Sequence, residues 1–270
     1  MNIAVVTPYG DAYSRDRLFD QNACKIGQNL LLPGILLKKR LEEMGHNYHT
    51  VDMYSNIKEI DIWIFQDLNN TSRLTSTSMQ DAAKYLIKRK WKQDYLYKYS
   101  KLKNGSRSIL LMQEPATVFP QSYDRNNQKI FDKILTWDSN LVDNIKYFQF
   151  FYPQVKPEHI NYIPYDKKKF ITMICGNKSS SDKNELYSER YRAINYFEKM
   201  HEDFDLYGFG WNEDLVKSYR GKTNDKLETM SKYKFSICFE NMKSSFGYIT
   251  EKIFDCFFSG CVPIYYGADD

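Results

Sequence analysis

Nowhere in the chain do about 18 apolar residues run uninterrupted, the length a helix needs to cross a bilayer, so no membrane span is expected. The opening residues, MNIAVVTPYG, have neither the basic start nor the long apolar core of a secretory leader, and the protein is expected in the cytoplasm. Asn-x-Ser/Thr triplets at Asn69, Asn70, Asn104 and Asn177 would matter only in a secretory lumen and are discounted for that reason. Cysteine is scarce. The five present, Cys24, Cys175, Cys238, Cys256 and Cys261, form no metal-ligand spacing and mostly lie in apolar runs, where a thiol behaves as a small buried hydrophobe; they are expected to be reduced. Of four histidines, His46 and His49 stand three apart and His159 and His201 are isolated. The Asp269-Asp270 pair lacks the flanks of a metal-binding Asp-x-Asp, so no metal is expected. A formal net charge of +4 is too small to argue for nucleic acid, although it suits a ligand carrying phosphates. No internal repeat or low-complexity tract occurs.

What is present is a globular composition: 42% hydrophobic and 27% charged residues, with 22 Tyr and 17 Phe. At 270 residues the chain exceeds what one core usually organises, and two domains are expected, residues 1–155 and 156–270, joined through a proline-bearing stretch near 152–168. In the first, NIAVVT reads as a strand, NLLLPGILLKKRLEEMG as a helix ended by Gly45, and YHTVDMY and IDIWIFQD as strands. Residues 79–102 read as a long helix, SILLMQEP as a strand stopped by Pro115, and FDKILTWD as a strand leading into a helix from about Ser139. The second alternates likewise: FITMIC, ELYSERYRAINYFEKM, DFDLYG, DKLETMSKY, KFSICFEN, YITEKIFDCFFSG, CVPIYYG. Alternating strands and helices predict mainly parallel sheets, with ligands gathering at the carboxyl ends of the strands, where Glu114 lies. Residues 84–103, KYLIKRKWKQDYLYKYSKLK, mix basic and aromatic side chains. They read first as an amphipathic helix with a solvated lysine face, and second as a peripheral contact with the inner face of a membrane.

Chemistry concentrates in residues 239–267, FENMKSSFGYITEKIFDCFFSGCVPIYYG. A strand delivers Glu240 and Asn241 at its edge, Gly247 permits a turn, and a helix is expected to start near Tyr248 with Thr250, Glu251 and Lys252 in its first turn. Free N–H groups at a helix start attract phosphate oxygens, and a lysine adds a full positive charge, so a diphosphate fits there. Glu251 is an acceptor-only group suited to ribose or sugar hydroxyls, and Asn241 both donates and accepts. Acids also favour first turns for purely local reasons; the strand-turn-helix setting is what raises the functional reading.

This segment resembles the α1,3/4-fucosyltransferases of glycosyltransferase family ten. Their pattern YKF-x-x-x-FEN…Y-[IV]-TEK-[IL]…G-x-VP-[IV]-Y-x-G is met by Tyr233, Lys234, Phe235, Phe239, Glu240, Asn241, Tyr248, Ile249, Thr250, Glu251, Lys252, Ile253, Gly260, Val262, Pro263, Ile264, Tyr265 and Gly267. The likeness extends upstream through LLMQEPATVFP, FDKILTWDSNLVDN, ICGN and ERYRAINYF. It implies a GT-B fold, two facing Rossmann-like domains with a cleft between them, the C-terminal one binding GDP-fucose and the N-terminal one the acceptor. It further implies inverting transfer of L-fucose from GDP-β-L-fucose without a metal or other cofactor. The acceptor would be an N-acetylglucosamine-containing glycan of a surface polysaccharide or glycoprotein, with an α1,3 linkage. Carried over by position, Glu114 is the general base; Arg190 and Lys252 neutralise the diphosphate; Glu251 takes ribose hydroxyls; Asn177, Asn241 and Tyr248 help hold the donor. Arg192 is the alternative to Arg190, because KSSSDKNELYS lengthens the interval after Asn177.

The family pattern runs on beyond the Val-Pro-Ile-Tyr segment where this chain stops at Asp270, so the edge of the donor domain is expected to be incomplete. A GT-B enzyme using another nucleotide sugar, such as GDP-mannose, and a non-catalytic sugar-nucleotide or glycan-binding module stand as alternatives.

Overall fold

The computed structural model describes residues 1–24, 30–69, 94–102, 105–156, 162–200, 203–243 and 245–270. Two compact units make up the chain, Met1–Ala23 with Gly34–Phe150 and Cys24–Pro33 with Phe151–Asp270.

The first unit is built on six strands, β1 (Asn2–Val6), β2 (Asn47–Thr50), β3 (Ile62–Gln66), β4 (Arg107–Met112), β5 (Lys133–Thr136) and β6 (Tyr147–Gln149). Their order is β2-β1-β3-β4-β5-β6, every pairing parallel. Alternation along the strands puts Trp63 and Phe65 of β3, Leu110 and Met112 of β4 and Ile134 of β5 into one core with Ala4, Leu96 and Phe131. Helix α1 (Leu32–Glu43) carries Pro33 in its first turn, where the missing N–H is no loss, and its chain exits through Gly45 at φ +81°.

Two expectations for this unit change, and a third falls largely outside the described residues. Of the helix predicted over 79–102, residues 79–93 lie outside the described residues, as do 84–93 and 103 of the basic-aromatic stretch; the described part contains helix α2 (Tyr95–Ser100), capped by Asp94, which accepts from the Leu96 N–H at 2.9 Å. YHTVDMY is a shorter strand than expected, because β2 gives way at Val51 to a single 3-10 turn. The helix predicted from Ser139 is a 3-10 turn, Ser139–Leu141, followed by strand β6. Its local cause is Asp143, whose Oδ1 accepts from the N–H groups of Ile145, Lys146 and Tyr147 at 2.8, 2.8 and 2.9 Å, while Asn144 takes a left-handed φ of +57°. Side-chain bonds of this kind compete with helical ones. A further short helix, α3 (Arg125–Gln128), is capped by Asp124.

The second unit holds β7 (Lys169–Ile174), β8 (Phe204–Tyr207), β9 (Tyr233–Phe239) and β10 (Val262–Tyr266) in the parallel order β10-β9-β7-β8. Helices α4 (Tyr187–Met200), α5 (Lys226–Ser231) and α6 (Glu251–Phe258) fall between them. Ile171, Met173, Ile194, Phe204, Leu206 and Ile237 form its core, each such side chain worth roughly 1.5–3 kcal/mol on burial. Among the described residues, no helix is long and apolar enough to cross a membrane.

One charge is buried within this sheet. Asp205 of β8 accepts from Lys169 Nζ at 2.9 Å, Arg220 Nε at 2.6 Å and the Tyr233 hydroxyl at 2.7 Å. Burial alone would raise its pKa, but these donors outweigh it and hold the carboxyl below the usual aspartate value. The stabilisation is therefore present above the unfolded pKa and lost as pH falls through the lower folded value. Both cations are half-exposed and can resolvate, so Asp205→Asn is expected to cost about 2 kcal/mol near neutral pH. Denaturant titrations should show the gap from wild type closing below about pH 4.

Candidate functional site

The end of β9 is where the second unit assembles its polar groups. Register pairs Phe239 with Tyr266, and the next residue, Glu240, continues the ladder through its N–H to the Tyr266 carbonyl at 2.8 Å. This turns a glutamate side chain into the interior, where it is 0% exposed. Gly267 makes the space: a Cβ there would stand 2.6 Å from Glu240 Cγ and 2.9 Å from Glu240 Cβ.

A carboxylate so placed must be paired. Glu240 Oε1 accepts from the Thr250 N–H at 2.8 Å, and the Thr250 hydroxyl lies 2.9 Å from Oε1 and 2.7 Å from Oε2. Lys252 Nζ reaches Oε2 at 2.9 Å and donates to Thr250 Oγ1 at 2.8 Å. Helix α6 accordingly starts at Glu251, with Thr250 as its cap residue, three residues later than the sequence suggested. Thr250 N–H is taken by Glu240, and the negative charge sits where the helix dipole favours it.

Glu251, the first residue of α6, lies 3.5 Å from Lys252 Nζ and 3.9 Å from Lys226 Nζ, and Lys226 also pairs with Asp255 one turn on. Partial burial pushes the Glu251 carboxyl up, yet the two lysines overcome it and bring its pKa to about 2. It retains 36% side-chain exposure, so a permanently ionised acceptor faces solvent. The Lys226 ammonium is in turn held above its ordinary pKa: burial opposes its charge, and Asp255 and Glu251 restore it.

A second branch leaves the same strand end. Arg190, in the first turn of α4 and 6% exposed, donates through Nη2 to the carbonyls of Phe239 and Glu240, both at 2.8 Å, and to Asn241 Oδ1 at 3.1 Å. Its guanidinium lies over the Tyr187 ring. Asn241 Nδ2 faces the hydroxyl of the fully buried Tyr248 at 3.3 Å. Arg192, the alternative considered for Arg190, pairs with Glu189 instead and is 76% exposed.

Asn177 follows β7, the neighbour of β9. Its N–H donates to the Phe209 carbonyl at 2.8 Å, its Nδ2 to the Gly210 carbonyl at 3.0 Å, and its Oδ1 accepts from the Tyr191 hydroxyl, next to Arg190 in α4. The facing turn requires Gly208, which has φ +135° and where a Cβ would fall 1.9 Å from the Cys175 carbonyl oxygen. Arg190, Asn241, Tyr248, Glu251 and Lys252 thus join one network at the β9 end, with Asn177 on the adjacent strand end.

Glu114 belongs to the first unit, just past β4 and before the buried Pro115, and is partly buried. Its N–H donates to Asp67 Oδ2 at 2.9 Å, and its carbonyl accepts from the Tyr123 hydroxyl at 3.1 Å. Among the described residues, no group of three His, Cys, Asp or Glu side chains is placed to hold a metal ion.

Several members carried no individual sequence signal. Lys226 looks like a surface lysine following its cap, Asp225, and nothing local links it to Glu251. Glu240 was visible at the strand edge, but its role as counter-ion of Lys252 depends on the fold.

Residues 165–270 match the family model described as "Glycosyltransferase family 10 (fucosyltransferase) C-term". The alpha-(1,3)-fucosyltransferase FucT of Helicobacter pylori is 33% identical over 102 residues, a stretch spanning 38% of this chain and 18% of that protein. Among solved structures, an alpha1,3-fucosyltransferase superposes with a TM-score of 0.53 at 16% identity, covering 100% of this chain and 68% of the other. An alpha-glucosyltransferase in complex with UDP gives 0.54 at 12% identity, covering 98% and 80%. At such identities these likenesses concern the fold: parallel α/β units of the GT-B class. The TEK segment, with the Glu240–Lys252 pair at its centre, falls inside the matched region. Over residues 165–270, the chain is therefore similar to the C-terminal part of glycosyltransferase family 10, the fucosyltransferases.

Proposed function

We propose that the chain is a metal-independent inverting fucosyltransferase. In this reading it moves L-fucose from GDP-β-L-fucose to a hydroxyl of an N-acetylglucosamine-containing glycan, forming an α1,3 linkage. The observation that carries the reading is the network at the β9 end, where a solvent-facing Glu251 kept ionised by Lys226 and Lys252 lies beside a lysine at a helix N-terminus. The first group suits the vicinal hydroxyls of a ribose, and the second suits a diphosphate. Two of the similar solved structures are of alpha1,3-fucosyltransferase with GDP-fucose and with GDP, which supports the choice of nucleotide.

Inverting transfer forms a bond from the acceptor oxygen to the anomeric carbon while the bond from that carbon to the β-phosphate oxygen breaks. The hydroxyl proton passes to the Glu114 carboxylate, and the electron pair leaves with GDP. The transition state is oxocarbenium-like, so a base on one side and cationic charge on the other lower the barrier. Lys252 supplies that charge directly. Arg190 adds charge and fixes Phe239, Glu240 and Asn241 through its three acceptors. Asn177, Asn241 and Tyr248 complete the donor contacts in this reading.

Glu114→Gln should lower acceptor-dependent GDP release by roughly 100- to 10,000-fold while leaving GDP-fucose affinity within about twofold, as loss of a general base affects rate before binding. Binding without turnover, indifferent to this change, would point to a binding module; turnover of GDP-mannose in preference to GDP-fucose would overturn the donor assignment. Lys252→Ala needs a paired control, because it strands the buried Glu240 carboxylate. The single variant should lose about 3 kcal/mol of stability. The Lys252→Ala/Glu240→Gln double variant should recover part of that, and calorimetry should find GDP affinity lowered at least tenfold in both.

A further inference from the structure

The first unit contains a buried carboxyl that the reaction outlined above does not use. Asp67 follows β3 directly, is 3% exposed, and adopts φ +51°, a left-handed conformation that residues other than glycine, asparagine and aspartate seldom visit. Strained backbone of this kind tends to persist where the surroundings enforce it, often at functional sites.

What enforces it is a set of bonds converging on one side chain. Asp67 Oδ2 accepts from the N–H of Glu114 at 2.9 Å and of Gln113 at 3.2 Å; Oδ1 accepts from the Gln113 N–H at 3.3 Å and the Ser122 hydroxyl at 3.1 Å. Ser122 Oγ accepts in turn from the Leu68 N–H at 2.8 Å, and the Asp67 N–H donates to the Leu111 carbonyl at 2.9 Å. The Tyr123 hydroxyl closes the far side on the Glu114 carbonyl. The turn after β4 is therefore held at both of its peptide faces, and the residue it presents is Glu114.

We propose that Asp67 is the positioning residue of Glu114: it fixes the backbone from which that side chain projects and forms one electrostatic unit with its carboxyl. The proposal rests on the reading of Glu114 as the general base. A role in folding alone would need the backbone bonds and nothing more. The electrostatic link is the additional content. Burial raises the Asp67 pKa to about 8, the charge of Glu114 adds to the rise, and the bonds from Glu114, Ser122 and Gln113 oppose it. Among the described residues, Tyr123 also lies at this turn; burial pushes its pKa up, with Asp67, Asp138 and Glu114 adding to the shift. Ionisation of Asp67 places a second negative charge beside Glu114 and makes it a stronger base.

Asp67→Asn preserves size but turns an amide N–H₂ toward backbone donors. It should lower kcat about 10- to 100-fold, as a displaced catalytic group does, with the donor KM within about twofold. The pH profile of kcat should rise with an inflection near pH 8 in wild type and lack it in this variant. A second measurement needs neither turnover nor a folded Asp67 variant. The Asp67 carboxyl, followed by carbon-13 NMR, should titrate near pH 8 in the wild-type chain and at lower pH in Glu114→Gln. An Asp67 titration unmoved by Glu114→Gln, or a folded Asp67→Asn protein with wild-type kcat and pH profile, would overturn the proposal. Glu114→Gln with full activity would instead overturn the general-base reading, whatever Asp67 does.

Discussion

The ion pair between Glu240 and Lys252 is the constraint on which the second unit's site depends. A carboxylate with no solvent contact is tolerable only where cation, hydroxyl and amide all reach it, and here Lys252 and Thr250 provide them. The consequence is geometric. Thr250 cannot leave the strand end, so α6 must begin at Glu251, and the first turn of that helix is tied to β9 by side-chain bonds in addition to the packing of Cys256 against Cys238 and Met230. Removing the pair would leave the elements in place but unfix the angle at which Glu251 and Lys252 are presented.

Around that pair, charge alternates. Lys226 lies between Glu251 and Asp255, and Lys252 between Glu240 and Glu251. Each lysine has two acids and each interior acid a lysine, so no member carries an uncompensated charge. An arrangement of this kind resists rearrangement, because any one side chain that rotates away strands its neighbour. Such pre-organisation is what the proposed role of this network, meeting a transition-state charge without moving, requires.

Much of this was legible in the sequence where local pattern decides the outcome. The parallel strands followed from short apolar runs between helices, and the TEK segment signalled its own helix start to within three residues. What could not be read depended on bonds formed at a distance or by single side chains. Strand β6 was hidden because Asp143 and Asn144 divert the chain into a turn where the hydrophobic pattern alone suggested a helix. Lys226 and Asp67 were invisible for another reason. Their partners, Glu251 and Glu114, lie far along the chain, and only strand order brings them together. The different surroundings of Arg190 and Arg192 likewise needed the face of α4: two residues on, a side chain points away, and Arg192 finds Glu189.

Glu251 and Asp67 are treated in opposite ways, and the difference matches the roles proposed for the two units. At the β9 end, lysines overcome burial and hold Glu251 ionised at any ordinary pH, as a fixed acceptor for neutral hydroxyls should be. At the β3 and β4 ends, burial prevails over the hydrogen bonds and Asp67 stays protonated to about pH 8 beside a second carboxyl. In the proposed reaction the base must be able to take a proton as well as to exist without one, and a neighbouring acid that stays neutral to about pH 8 leaves Glu114 without a second negative charge beside it below that pH. Cations gathered as they are at the β9 end would weaken a base placed among them. Keeping proton acceptor and leaving-group cations on separate sheets is thus an electrostatic requirement of the reaction proposed here, independent of any likeness to known enzymes.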